Sequence, residues 1–145
     1  MANSNGFSAE WTPRALGLLR IVSAFMLLMH GAQKLFGFLA QPGAQSPPMF
    51  SQMWFGGVIE LFGGLLLLLG LFTRPVAFIL SGTMAVAYFQ FHAWTAMAKD
   101  GLPGFVWPLL NKGELAALYC FVFLFIAVAG GGAWSLDHVL RRDRS

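Results

Sequence analysis

The sequence predicts an all-α fold, an integral membrane four-helix bundle with a short C-terminal amphipathic helix. Of its 145 residues, 57% are hydrophobic and 10% are charged, against about 25% charged in an average soluble protein. The apolar residues are concentrated in four stretches, each long enough to cross about 30 Å of hydrocarbon. The basic residues lie mainly at the ends of these stretches. The surplus of large apolar side chains is therefore expected to face lipid.

The four membrane helices are predicted from the hydropathy pattern and from the signals at their ends. Thr12 as N-cap and Pro13 at the first helical position predict the start of the first helix. Asn111 and Glu114 have the spacing of a capping box, which predicts the start of the fourth. The predicted helices run over about Arg14 to Phe38, Met53 to Phe72, Pro75 to Ala98 and Lys112 to Gly130.

The segments outside the four spans are also expected to lie at the membrane surface. Ser135 is the expected N-cap of a short amphipathic helix over about Leu136 to Arg142, a length and composition typical of an interfacial helix. The connections Leu39 to Gln52 and Lys99 to Asn111 are rich in proline and aromatic residues. We expect these two connections to form a lid over the bundle in the headgroup zone.

The distribution of the basic residues predicts the orientation in the membrane. Cytoplasmic ends of membrane helices carry an excess of arginine and lysine. One side of the bundle has Arg14, Arg20, Arg74, Arg141, Arg142 and Arg144. The other side has Lys34, Lys99 and Lys112. We therefore expect a multi-pass protein of the bacterial inner (plasma) membrane with both termini in the cytoplasm.

Several ionisable and polar residues lie at a common depth, towards the outer surface. Charged groups within a membrane are costly, and by default they indicate a functional site. The candidate pocket consists of His30, Lys34, Glu60, Tyr88, His92, Lys99, Asn111 and Glu114. The structural alternative is helix packing, in which Glu60 pairs with Lys34 or His30 between glycine-rich helix surfaces.

Arg20 is separate from this layer and needs a partner of its own. It lies about two helical turns in from the expected cytoplasmic side, where an unpaired guanidinium is unfavourable. The nearest acidic residue in the expected arrangement is Asp137. We predict an Arg20–Asp137 ion pair with a structural role, which docks the C-terminal helix on the bundle.

The residues alone leave the cofactor unknown. His30 and His92 occupy similar depths, as a bis-histidine haem requires. Histidines within membranes more often hydrogen-bond to a carboxylate, so haem is disfavoured. Cys120 is the only cysteine, which excludes an internal disulfide and a Cys-x-x-Cys redox pair. We predict no metal site.

Four motifs resemble the DoxX family in sequence and in order. They are HGAQKLFG at His30 to Gly37, the glycine–glutamate segment Gly56 to Ala77, NKGELA at Asn111 to Ala116 and SLD at Ser135 to Asp137. The resemblance implies a single DoxX-like transmembrane domain over residues 1–145. It also implies an association with redox chemistry, since named relatives are subunits of a thiosulfate–quinone oxidoreductase and others are linked to oxidative stress. The matching positions are His30, Lys34, Glu60, Arg74, Asn111, Glu114 and Asp137.

The leading hypothesis is an inner-membrane redox-accessory protein that binds a quinone or similar small apolar molecule in the outer half of the bundle. The electrons would come from a redox partner protein, so whether the chain is an enzyme by itself stays open. One alternative is a proton-coupled carrier for a small solute or lipid, and another is a structural or assembly subunit. The lipid bilayer is an expected partner, a homo-oligomer is compatible with the small lateral surface of four helices, and no nucleic acid is expected.

Overall fold

The computed structural model describes residues 4–142, and within that range every regular element is helical. The elements are α1 (Ser4–Phe36), α2 (Gln52–Leu69), α3 (Thr73–Ala87), a π-helical segment (Tyr88–Ala93), α4 (Trp94–Val106), α5 (Pro108–Asn111), α6 (Glu114–Ala129) and α7 (Leu136–Arg142). The predicted all-α fold class is therefore confirmed.

Three helical stretches within residues 4–142 are long and apolar enough to cross a membrane, namely Gly6–Phe36, Gln52–Leu69 and Thr73–Val106. The fourth predicted span, α6, is apolar but has 16 residues, which is about 24 Å at 1.5 Å per residue. Large apolar side chains such as Phe78, Phe121 and Val128 point outward from the helices. Such a surface belongs in a lipid bilayer, because contiguous apolar patches of this extent are unfavourable in water.

The first helix begins earlier than the predicted start at Thr12 and Pro13. The structure continues the helix back to Ser4, so Pro13 lies inside α1. A proline removes one backbone donor from a helix interior. The turns before Pro13 are nevertheless stabilised by an ion pair. The Arg14 guanidinium donates to the Glu10 carboxylate at 2.7 Å, one turn away.

The sequence predicts that the connection from Lys99 to Asn111 is a loop that forms part of a lid. The prediction of a loop is wrong, because most of this connection is helical. The helix that follows the π-helical segment continues as α4 and is interrupted at Gly101, where φ is 68° and ψ is −152°. A glycine adopts this left-handed backbone without steric cost. The chain after Gly101 folds back, so that the Phe105 ring packs edge-on against Trp94 with ring centroids 5.2 Å apart.

The predicted capping box at the start of the fourth span is not formed. α6 has Gly113 at its N-cap position without a side-chain cap. Asn111 is buried, and its side-chain oxygen accepts a hydrogen bond from the Gly113 amide at 2.8 Å. Lys112 adopts a left-handed conformation with φ of 56°, which ends α5 and restarts the helix at Glu114. The amide of Asn111 therefore points inward instead of capping α6.

The helices pack as two pairs, α1 with α2 and α3 with α6. Glycines bring the backbones of α1 and α2 into contact. A Cβ added at Gly31 would lie 2.5 Å from the Leu61 amide nitrogen, and one at Gly64 would lie 3.0 Å from that of Leu28. Small residues permit this approach between membrane helices. The fully buried core side chains include Leu27, Leu67, Leu80, Phe123 and Ile126.

Arg20 organises the end of the bundle at which α7 and the first turns of α1 lie, which we call the termini end. The side chain is completely buried. Its guanidinium donates to backbone carbonyl oxygens at 2.7–3.4 Å, those of Leu67, Leu68, Gly131, Ala133 and Trp134. These carbonyls lie at or near the C-terminal ends of α2 and α6, so one side chain joins three parts of the chain.

Asp137 also lies at the termini end, where it caps α3. Its two carboxylate oxygens accept from the amides of Phe72 at 2.9 Å and Thr73 at 2.8 Å. The charges of Arg20 and Asp137 attract each other, as the predicted ion pair requires. However, the hydrogen bonds described for the Arg20 guanidinium all go to backbone oxygens. The C-terminal helix is therefore held through the separate backbone contacts of the two side chains.

The C-terminal helix α7 begins as predicted, after Ser135. The Ser135 hydroxyl accepts from the His138 amide at 3.3 Å, which is the bond that an N-cap residue makes. The exposed apolar side chains of the helix include Leu136, Val139 and Leu140. Arg144, and the side chains of Arg141 and Arg142, lie outside the described part of the chain.

We expect Arg20→Lys to lower the free energy of unfolding by about 3 kcal/mol, because a compact ammonium cannot reach carbonyls on all sides and leaves several without a donor. Thermal unfolding of the purified protein in detergent measures the change. Arg14→Lys is the control, because Arg14 belongs to an exposed pair of the kind worth at most about 1 kcal/mol. Equal losses of unfolding free energy in Arg20→Lys and Arg14→Lys would contradict the structural role of Arg20.

We expect Gly31→Ala to destabilise the protein by about 2 kcal/mol, because the added methyl group meets the α2 backbone. Gly82→Ala is the matched control within a helix, since a Cβ at Gly82 has no neighbour within 4 Å. That substitution should raise stability by about 0.5–1 kcal/mol, because alanine favours a helix. The same detergent unfolding assay compares the two. A neutral Gly31→Ala would show that α1 and α2 separate readily.

Candidate functional site

Some of the predicted ionisable residues lie around one cavity, at the end of the bundle opposite the termini end. We call it the polar cavity. Its volume is about 260 Å³, and residues of α1, α2, α3, the π-helical segment and α6 line it. Its polar lining residues are His30, Lys34, Glu60, His92, Lys112 and Tyr119. The apolar lining includes Leu27, Met84 and Leu115.

Glu60 is the most buried acid of the site and has one partner. It is 2% exposed, and its Oε1 lies 2.6 Å from Nζ of Lys34. The close packing of α1 on α2 brings the two together, since a Cβ at Gly57 would lie 3.1 Å from the Lys34 Cβ. The second carboxylate oxygen, Oε2, is buried and has no hydrogen-bond partner among the described residues.

Tyr119 is the second buried group on this wall with an unused polar atom. It is 5% exposed, and its hydroxyl has no hydrogen-bond partner in the described part of the chain. Its ring stacks on Phe123 with centroids 5.4 Å apart. An unsatisfied buried polar atom costs about 1–3 kcal/mol. Two of them on one cavity are typical of a site that receives a polar ligand.

A hydrogen bond at one ring nitrogen fixes the orientation of His92. The Nδ1 atom lies 3.1 Å from the Asn111 carbonyl oxygen. Because a carbonyl oxygen only accepts, Nδ1 carries a hydrogen, and Nε2 of the neutral ring is an acceptor. The Asn111 amide in turn donates to the Tyr88 hydroxyl at 3.3 Å and to the Gly104 carbonyl at 3.1 Å. Tyr88 and Asn111 therefore support His92.

A second cavity of about 310 Å³ lies beside the polar cavity, on the side of α2 and α3. The lining residues that the two cavities share are Lys34, Glu60, Ala87 and His92. The remainder of the second cavity includes the apolar side chains Met53, Val86 and Phe91. The Lys34–Glu60 pair therefore contributes to the walls of both the polar cavity and the more apolar one.

The structure leaves Lys99 and Glu114 exposed and outside both cavities. The π-helical segment explains the position of Lys99, because each π turn holds more residues than an α turn and rotates the side chains that follow. Sequence reasoning missed Lys112 and Tyr119, which do line the polar cavity. For Tyr119 the spacing was the available signal, since Leu115 and Tyr119 lie four residues apart on one face of α6.

Among the described residues, no group of three or more histidine, cysteine, aspartate or glutamate side chains is placed to hold a metal ion. His30 and His92 line the same cavity, together with the single acid Glu60. The site as described therefore offers hydrogen-bond donors, acceptors and exchangeable protons.

Comparisons with known proteins agree with this architecture. The DoxX family model matches residues 15–93. An uncharacterized protein of Haemophilus influenzae is 41% identical over 130 residues, which cover 89% of this chain and 92% of the relative. The inner membrane protein YphA of Escherichia coli is 29% identical over 132 residues, covering 86% of this chain and 89% of the relative. No solved structure matches significantly. The chain is a membrane protein and belongs to the DoxX family.

Proposed function

We propose that this protein is a redox-accessory protein of the inner membrane that binds a quinone or a similar small apolar molecule in the polar cavity. The observation that carries the proposal is that two residues of its lining have a buried polar atom without a partner in the described part of the chain, Oε2 of Glu60 and the hydroxyl of Tyr119. One is an acceptor and the other is a donor. A ligand that donates a hydroxyl hydrogen to Glu60 and presents an acceptor oxygen to Tyr119 would remove two desolvation penalties at once.

The chemistry of the lining fits both oxidation states of a quinone. In the oxidised form, the carbonyl oxygens would accept from the Tyr119 hydroxyl and from the ammonium groups of Lys34 or Lys112. In the reduced form, the hydroxyls would donate to Oε2 of Glu60 and to Nε2 of His92. The apolar lining would hold the ring.

The size of the site limits what part of the molecule it holds. Ligand pockets commonly measure about 300–1,000 Å³, and the polar cavity is smaller, about 260 Å³. It would accept a ring-sized head group without a long tail. The adjacent apolar cavity, with Met53, Val86 and Phe91, offers a path for the tail.

The proposed role is proton delivery and ligand orientation. Reduction of a quinone to a quinol consumes two electrons and two protons. Glu60 and His92 are the groups that would exchange these protons. The lining side chains carry no two-electron redox centre, so a redox partner protein would supply or accept the electrons.

We also propose that both termini lie in the cytoplasm, which would open the polar cavity towards the outer side of the membrane. Arg14 and Arg74 support this orientation, since they lie at the termini end, whereas Lys34 and Lys112 lie at the opposite end. Cytoplasmic ends carry the larger number of basic residues.

A proton-coupled carrier of a small solute or lipid is the second candidate. The observation in its favour is the Lys34–Glu60 pair that lines two adjacent cavities, because protonation of Glu60 would release Lys34 and could open a path between them. Flux into proteoliposomes that disappears in Glu60→Gln would favour the carrier. Quinone binding without flux would favour the redox-accessory protein.

We expect Tyr119→Phe to weaken the binding of a short-chain ubiquinone analogue, and Glu60→Gln to weaken the binding of the corresponding quinol, each by about tenfold, the effect of one lost hydrogen bond of about 1.4 kcal/mol. Quenching of tryptophan fluorescence during titration of the purified protein measures the affinity. Glu114→Gln is the control, because Glu114 is an exposed acid outside the cavity. A wild-type protein that does not bind the analogue would rule the quinone assignment out.

We expect Tyr119→Phe to leave the free energy of unfolding unchanged or to raise it by about 1 kcal/mol in the absence of ligand, because the hydroxyl has no partner among the described residues. Unfolding in detergent measures this. A structural or assembly subunit makes the opposite prediction, a loss of about 1–3 kcal/mol through a broken hydrogen bond. A folded, stable variant with weakened ligand binding would assign Tyr119 to the site.

A further inference from the structure

We propose that the termini end holds a second binding site, for a phosphate group, and that the phosphate belongs to the headgroup of a membrane phospholipid. A cavity of about 430 Å³ lies there, separate from the polar cavity. It is bounded by the third and fourth turns of α1, the N-terminus of α3, the glycine loop of residues 130–132 and the start of α7. We call it the termini cavity. Its polar and charged lining residues are Thr12, Thr73, Arg74, Ser135, Asp137 and His138.

Thr73 is the residue that points to a ligand. It is 1% exposed and lines the termini cavity, yet its hydroxyl has no hydrogen-bond partner among the described residues. The glycine loop covers it closely, since a Cβ at Gly131 would lie 3.0 Å from the Thr73 hydroxyl oxygen. A buried hydroxyl left unsatisfied costs about 1–3 kcal/mol. An oxygen of a phosphate placed in the cavity would accept its hydrogen.

The charges around the cavity favour an anion. Arg74 is exposed, and its guanidinium lies over the glycine loop, 3.6 Å from where a Cβ of Gly130 would be. Among the described residues it takes part in no ion pair. His138 adds a second donor on α7. The acid of the cavity, Asp137, accepts from two amides at the N-terminus of α3, and these donors offset part of its negative charge.

The surroundings place this cavity at the level of lipid headgroups. Trp11 and Trp134 are exposed at the same end of the bundle, and tryptophan is enriched where a membrane meets water. The exposed apolar side chains of α7 also lie at this end. The phosphate groups available at that level are those of phospholipids. A free phosphate from solution has the same binding chemistry, and the experiment separates the two sources.

The test measures ligand affinity for the purified full-length protein in detergent by isothermal titration calorimetry. The probes are dihexanoylphosphatidylglycerol, inorganic phosphate and, as the neutral lipid control, dihexanoylglycerol. We expect the phosphatidyl lipid to bind more tightly than inorganic phosphate and the neutral lipid not to bind. Arg74→Gln should weaken binding by about tenfold and Thr73→Val by about threefold, as losses of a charge-assisted and a neutral hydrogen bond. Arg14→Gln, outside the cavity, should change nothing.

Unfolding without lipid gives an independent readout. Thr73→Val should be as stable as the wild type, because the hydroxyl has no partner to lose. A lower unfolding temperature for Thr73→Val would make the hydroxyl structural and overturn the proposal. So would equal lipid affinity in the wild type and Arg74→Gln. Binding of inorganic phosphate that depends on Arg74, with no gain from the lipid tails, would support the phosphate site and overturn its assignment to a lipid.

Discussion

The rest of the structure depends on how each buried charge is satisfied, because a charged group in a membrane is stable only with partners. Arg20 and Glu60 answer this constraint differently. All the donor groups of the Arg20 guanidinium find backbone carbonyls, so Arg20 closes one end of the bundle. Glu60 has Lys34 on one oxygen and nothing described on the other. The first is a structural centre, and the second leaves binding capacity unused.

The packing of the helices in two pairs explains where this unused hydrogen-bonding capacity of Glu60 lies. Glycines hold α1 against α2, which brings Lys34 to Glu60. α3 packs on α6 as a second pair, and the polar cavity forms between the pairs. The π-helical segment turns His92 towards this space. Such segments occur frequently at functional sites, and here the segment sets the position of His92 beside the cavity.

The depth of the charged residues along each helix predicted a large part of the site. His30, Lys34, Glu60 and His92 line the polar cavity, and Tyr88 and Asn111 support His92 through a hydrogen-bond network. Lys99 and Glu114 lie outside it. Their predicted places assumed uninterrupted α-helices, whereas a π-helical segment precedes one and a left-handed Lys112 precedes the other. Local backbone irregularities of this kind have no clear signal in hydropathy.

The sequence by itself determined that the chain is an all-α membrane protein, because apolar stretches of this length have no stable alternative to helices in lipid. It also determined which residues carry charge within the helices. Only the tertiary structure decided which polar atoms are satisfied. Glu60 and Tyr119 are far apart in sequence and meet at one cavity, and the Thr73 hydroxyl is buried by a loop almost sixty residues away. Whether a buried polar atom has a hydrogen-bond partner depends on distances between helices, and a local sequence pattern does not contain those distances.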